Sequence, residues 1–126
     1  MKLRIKGSTL RLRLTQGEVR AVAEGQPVEE KVPFGPGSAL VYRLRRDAEV
    51  RDITAAYAGN IIEIRLPDAA AARWCDTELV GLEHAQAVPE GPLRIIIEKD
   101  YACLAPREGE DESDNFPHPQ TGSLKC

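Results

Sequence analysis

The sequence has no apolar stretch near the ~20 residues that a membrane-spanning helix needs, so we expect no membrane partner. Aromatic residues make up only 5% of the chain. Cysteines number three, which excludes a disulfide-dense scaffold. The first six residues alternate charged and apolar side chains without a following apolar run, so we expect no signal peptide. Three thiols without such a signal favour a reducing, cytoplasmic location.

What the chain does contain is typical of one globular domain: 126 residues, of which 42% are apolar and 29% charged. The net charge is −3, but its distribution is uneven. Residues 1–20 hold six basic and one acidic side chain, whereas residues 105–126 hold two basic and five acidic ones. An isoelectric point near 5.4 argues against a nucleic-acid partner, since dedicated binders are usually basic.

The N-terminal third begins with two alternating segments, residues 2–6 and residues 10–14. Alternation with period two predicts half-buried strands, and Gly7 with Ser8 predicts the turn of a hairpin. Thr15 and Glu18 have the spacing of a capping box, so we expect a short helix to follow, ending near Gly25.

Further strands are predicted at residues 28–34, 39–46, 50–57, 61–66, 79–84 and 93–98, and a second helix after Pro67. We therefore predict an α+β fold: a mostly antiparallel sheet of seven or eight short strands, open or rolled into a partial barrel, with two short helices. Five aliphatic side chains should form its buried sheet positions: Leu12, Ile62, Ile64, Ile95 and Ile97.

The composition changes after residue 104, so we expect a globular domain over residues 1–104 and an acidic, proline-containing tail over residues 105–126. The acidic run from Glu110 to Asp114 should lie across the basic N-terminal strands because their charges are opposite. Phe116 should be the apolar anchor of this tail.

Two ends of the chain resemble one family. A family of small bacterial proteins has a similar opening and a similar close. The opening runs from Lys2 to Gln16, and the close runs from Ile97 to Pro117 and includes Glu110-Asp111 and Asp114-Asn115-Phe116-Pro117. That family is a domain of unknown function. The resemblance therefore implies no activity, cofactor or catalytic residue, but it implies that residues 98–117 belong to the design of the domain.

The first candidate site is a basic strand face. If the two N-terminal strands pair, their cations share one surface that could hold a phosphate or another anion, because arginine binds oxyanions through a bidentate fork. A solvated strand face, neutralised by the protein's own acids, is the alternative interpretation. The candidate residues are Lys2, Arg4, Lys6, Arg11 and Arg13.

The second candidate is a metal or redox site in the last 24 residues, formed by Cys103, His118 and Cys126. Thiolate and imidazole ligands suit zinc or copper. Their spacing matches no standard zinc finger, and the alternative is a buried Cys103 with an exposed thiol at Cys126.

No constellation of catalytic residues is recognisable in the sequence. We therefore predict a cytoplasmic, non-catalytic module that binds a protein or a small anionic ligand. The alternative function is a metal-binding or redox-responsive protein using the C-terminal thiols and imidazole. A third class is an enzyme that acts on an anionic substrate over the basic strand face.

Overall fold

The chain folds as two successive units with the same order of elements: a hairpin, a helix and a second hairpin. The computed structural model describes residues 1–101 and 113–117, and over these residues there are eight strands and two helices. The first unit comprises β1 (Lys2–Lys6), β2 (Thr9–Leu14), α1 (Gln16–Ala23), β3 (Val28–Gly35) and β4 (Ser38–Arg46). The second comprises β5 (Thr54–Ala58), β6 (Ile61–Leu66), α2 (Asp68–Cys75), β7 (Gly81–Val88) and β8 (Gly91–Lys99).

The two units exchange hairpins to build two sheets. Sheet 1 has the strand order β1-β2-β8-β7 and sheet 2 the order β3-β4-β6-β5. The inner pairs β2–β8 and β4–β6 are parallel, and the four other pairings of the described residues are antiparallel. The inner registers are equivalent, since Leu14 pairs with Lys99 and Leu66 with Arg46. The predicted α+β class and mostly antiparallel pairing are confirmed, but the strands divide between two sheets.

The sheets do not close into a barrel, and side chains and the N-terminus bridge the gaps between their edges. At one gap the Met1 amino group lies 3.2 Å from a Glu30 carboxylate oxygen on β3. At the other, Gln86 on β7 accepts a hydrogen bond from the Ala55 amide at 2.7 Å and donates one to the Ala55 carbonyl at 3.0 Å. These contacts replace the backbone ladder that a closed barrel would require.

Each helix begins directly after an inner strand. The predicted capping box of α1 is confirmed: the Thr15 hydroxyl accepts from the Glu18 amide at 3.4 Å, and the Glu18 carboxylate accepts from the Thr15 amide at 2.9 Å. The Met1 amino group also pairs with Glu18. Val19 and Val22 face the core and are buried, as their spacing predicts.

A cation at the end of each unit's last strand contacts the C-terminal side of the same unit's helix. Arg46 donates to the Ala23 carbonyl at 3.0 Å, and Lys99 donates to the Thr77 carbonyl at 2.7 Å. Lys99 is only 5% exposed, and this burial lowers the pKa of its amino group. Both cations satisfy carbonyls at or just beyond a helix end, where positive charge is favourable.

The core lies between the two sheets and is closed at one end by the helices. Predicted core residues Leu12, Ile64, Ile95 and Ile97 are at most 1% exposed, which confirms the phase of their strands. The prediction that Ile62 is buried is wrong. Its side chain is only half-buried, because it lines a cavity near the start of β6.

Two predicted strand limits are also wrong. The segment predicted at residues 50–57 becomes a strand only at Thr54, and β7 runs on to Val88 instead of ending at residue 84. Residues 51 and 52 form a bend between irregular residues, which period-two alternation does not distinguish from a strand.

Residues 113–117 return to the domain beside the end of β8. The Phe116 amide donates to the Asp100 carbonyl at 2.8 Å, and the Phe116 ring lies 5.5 Å from that of Tyr101 and packs against the core. Its predicted role as an anchor is thereby confirmed. The Asp114 carboxylate accepts from the Gly17 amide at 3.2 Å. The expectation that Asp114 lies on the basic strand face is wrong, because the exposed amides of the α1 N-terminus bind it instead.

The remaining C-terminal predictions fall on residues 102–112 and 118–126, which lie outside the described residues. They concern the boundary after residue 104, the acids from Glu110 to Glu112, and the candidate ligands Cys103, His118 and Cys126.

Candidate anion-binding site

The structure brings the five predicted cations to one surface, the outer face of sheet 1. Strand pairing sets Lys2 opposite Arg13 and Arg4 opposite Arg11, and Lys6 follows on the same side of β1. Cross-strand partners share a face, so the inward positions Leu12 and Leu14 belong to the core while these cations point away from it. We call the five residues the basic face.

Sequence reasoning missed three further residues of this surface, Thr9, Arg94 and Ile96. The parallel pairing of β2 with β8 sets Thr9 beside Arg94 and Arg11 beside Ile96. Arg94 follows Arg11 by more than eighty residues, so only the parallel pairing shows that the two are neighbours. The available signal was a single cation, Arg94, among the apolar residues 93–97 of β8.

A depression of about 270 Å³ lies at the hairpin end of this surface. Ile96 is 8% exposed although it lies outside the core cluster, so the stems of the neighbouring cations cover it. The result is an apolar floor surrounded by charged groups and one hydroxyl. The residues lining this basic depression are Arg4, Lys6, Thr9, Arg11, Arg94 and Ile96.

At the helix end of the basic face, the protein's own acids compensate the cations. Glu98 accepts a hydrogen bond from Arg13 at 2.7 Å and lies 3.8 Å from Arg11. The Lys2 amino group lies 3.2 Å from the Asp100 carboxylate. The alternative interpretation of a neutralised face therefore holds at this end.

At the hairpin end the compensation is incomplete. Arg94 pairs with Glu83, but Arg4 and Lys6 form no ion pair with any residue in the ranges 1–101 and 113–117. Positive charge is therefore in excess where the basic depression lies. Two adjacent cations without partners repel each other, and an anion between them would relieve that repulsion.

The outer face of sheet 2 gives an internal comparison. Glu63 lies at its centre, with arginine nitrogens of Arg65, Arg43 and Arg45 at 2.7, 3.0 and 3.3 Å from its oxygens. The Arg65 hydrogen bond, supported by the two other arginines and opposed by burial, lowers the pKa of the Glu63 carboxyl to about 2. Every one of these arginines has an acidic partner.

The register shows which residues of sheet 2 correspond to the two unpaired cations. Ala56 pairs with Glu63 and Ala58 with Ile61, as Arg4 pairs with Arg11 and Lys6 with Thr9. The equivalent positions in the second unit are therefore alanines. The strand architecture does not require cations there, so a structural role for Arg4 and Lys6 is not supported.

The metal hypothesis gains no further support from the described residues. Within residues 1–101 and 113–117, no group of three or more His, Cys, Asp and Glu side chains could hold a metal ion. Cys75 is a free thiol that donates to the Val19 carbonyl at 3.6 Å, and burial raises its pKa. This thiol is therefore protonated at neutral pH and packs as an apolar group.

Residues 1–120 match the model of a family of unknown function (DUF7009). No curated protein and no solved structure matches the chain. Neither helix of the described residues is long and apolar enough to cross a membrane.

Proposed function

The chain belongs to this family of unknown function, and from the geometry of its outer surface we propose that it is a module that binds a phosphate-bearing small molecule in the basic depression. The observation that carries the proposal is the pair of cations, Arg4 and Lys6, that have no acidic partner among the described residues and lie at the rim of a depression. A binding role fits the site better than catalysis, because the lining offers neither a nucleophile with a base nor a paired carboxylate.

The chemistry of the lining suits a tetrahedral oxyanion. A guanidinium group binds two oxygens of a phosphate through its planar fork, and an ammonium group adds a mobile point charge. The Thr9 hydroxyl supplies a neutral donor that also bonds a third oxygen. Ile96 at the floor offers apolar contact to the part of the ligand that carries the phosphate.

The size and shape of the depression favour a small ligand over a nucleic acid. A volume of about 270 Å³ accommodates one phosphate group with a small remainder. No aromatic residue lines the depression, so stacking platforms for bases are absent from this surface. The acidic isoelectric point near 5.4 is consistent with this choice.

The test is a titration with inorganic phosphate followed by proton–nitrogen NMR correlation spectra, against sodium chloride at equal ionic strength. We expect phosphate to shift the amide signals of Thr9, Arg94 and their neighbours in a saturable way. The double substitution Arg4→Ala with Lys6→Ala should abolish saturation. The matched control is Arg20→Ala with Lys31→Ala, which removes two exposed cations elsewhere and should bind phosphate as the parent does.

Equal shifts with chloride and phosphate would refute the proposal, because the effect would then be ionic screening alone. Equal loss of binding in both double variants would refute it too, since net charge and not the depression would control the affinity.

We also propose that the protein works in the cytoplasm. The free thiol of Cys75, packed beside α1, is consistent with a reducing compartment. Cell fractionation with detection of the protein checks this location, and recovery from an oxidising compartment would contradict it.

A further inference from the structure

A second cavity, of about 440 Å³, lies between the two sheets at the end opposite the starts of the helices. Its position follows from the topology, since its lining comes from the starts of the four inner strands. Leu10 and Leu93 contribute from sheet 1, and Leu40 and Ile62 from sheet 2. Ala55, Ala56 and Tyr57 on β5 complete one side. We call this space the apolar cavity.

The core does not fill this cavity. Leu40 and Ile62 are half-buried, and neither is among the side chains of the described residues that pack into the core cluster. Tyr57 is 66% exposed, and Ile5, on the neighbouring hairpin, is 56% exposed. Its single polar side chain, the Tyr57 hydroxyl, lies 3.5 Å from the Asn60 side chain outside the cavity lining. Among the described residues, the lining that an inserted group would meet is therefore apolar apart from the Tyr57 hydroxyl.

The apolar cavity and the basic depression adjoin through consecutive residues of the same two strands. On β2, Thr9 lines the depression and Leu10 the cavity. On β8, Arg94 lines the depression and Leu93 the cavity. Because successive side chains of a strand point to opposite faces, the two spaces lie on either side of sheet 1, near the starts of β2 and β8.

We infer that the ligand is a soluble single-chain amphiphile, with an unbranched acyl or alkyl chain in the apolar cavity and a phosphate headgroup in the basic depression. The inference rests on the proposed function and names its ligand class. Charge complementarity selects an anionic headgroup, since Arg4 and Lys6, which no acid of the described residues neutralises, lie beside the cavity on the same hairpin as Ile5. A flexible chain is needed, because it must pass around the strand starts from one face of sheet 1 to the other.

The volume and lining of the cavity agree with such a chain. Ligand cavities of a few hundred cubic ångströms lined by apolar side chains are usual, and the mouth between strands is a common place for them. Each buried methylene adds to the affinity, so the alkyl chain should dominate the binding free energy and the headgroup should set selectivity.

The experiment is isothermal titration calorimetry with three probes: decyl phosphate below its micelle-forming concentration, inorganic phosphate and decanol. We expect decyl phosphate to bind at least roughly tenfold more tightly than either inorganic phosphate or decanol. Leu40→Asp, which places a charge in the cavity, should reduce the affinity for decyl phosphate to that for phosphate. The matched control is Leu79→Asp, at a side chain that is 37% exposed and outside the cavity, and it should bind as the parent does.

Tyr57→Ser serves as a second cavity variant at an exposed position, so the test does not depend on the folding of Leu40→Asp. Decyl phosphate that binds no better than phosphate, while phosphate still saturates, would overturn this inference and leave the proposed function standing. Equal binding of decyl phosphate and decanol, unaffected by Arg4→Ala with Lys6→Ala, would overturn both. Binding to anionic phospholipid vesicles without binding of monomeric decyl phosphate would overturn the inference in favour of a membrane surface.

Discussion

Ile62 and Ile64 on β6 offer a matched pair of substitutions, because they have the same side chain on the same face of one strand. Ile64 is 1% exposed and packs in the core, whereas Ile62 is half-buried beside the apolar cavity. Ile64→Ala should lower the free energy of unfolding by about 2–5 kcal/mol, since it removes buried carbons and leaves a hole. Ile62→Ala should lower it by only about 1 kcal/mol, because its side chain borders space that is already empty.

Urea unfolding measures both effects, and Trp74 provides the signal. Trp74 is the single tryptophan of the chain and is 0% exposed, so its fluorescence should change when the core opens. Arg65→Ala is the control on the opposite face, where a solvent-screened ion pair with Glu63 at 2.7 Å should contribute far less than the burial of Ile64. Equal losses for Ile62→Ala and Ile64→Ala would show that Ile62 is tightly packed and that the cavity does not exist. A loss for Arg65→Ala as large as that for Ile64→Ala would contradict the assignment of the faces.

Two further predictions concern the docked segment and acid stability. A Cβ at Gly17 would lie 3.0 Å from an Asp114 oxygen. Gly17→Ala should therefore weaken the contact between Gly17 and Asp114 and speed hydrogen exchange of the Phe116 amide, although alanine favours the helix. Unchanged exchange would refute this contact. The pKa of the Glu63 carboxyl, about 2, lies below its ordinary 4.5, so its ion pairs stabilise the fold fully above pH 4.5 and lose that contribution as the pH falls towards 2. Glu63→Gln should therefore be less stable than the parent at pH 7, and urea unfolding at several pH values should show the difference closing towards pH 2; a difference independent of pH would contradict the role of Arg65.

Local signals predicted the elements of this fold well, and long-range pairing lay beyond them. The hairpin at residues 2–14 and the capping box at Thr15 depend on neighbouring residues, so alternation and spacing were sufficient. The pairing of β2 with β8 joins residues 85 apart in the sequence, and no local pattern specifies it. The repeated unit was missed because the related strands share alternation more than identity, as residues 9–14 and 61–66 show.

For the candidate site too, local signals were sufficient for some residues and long-range pairing was needed for others. Alternation alone placed the five cations on one face, since it requires only the strand period. The position of Arg94 and of the floor residue Ile96 beside β2 depended on the parallel pairing and could not be predicted. Which cations of the basic face have acidic partners could not be predicted either, because Glu98 reaches Arg13 only in the tertiary structure.

The exchange of hairpins between the two units also determines when the protein can fold during its synthesis. Sheet 2 has all its strands once β6, which ends at Leu66, has left the ribosome, but sheet 1 is not complete until β8, which ends at Lys99, has followed. Until then, the inner edge of β2 has no partner strand, and the closure of such a long loop makes folding slow. In a concentrated solution of unfolded chains, the first unit of one copy can pair with the second unit of another, and the product is an interlocked dimer with the same two sheets.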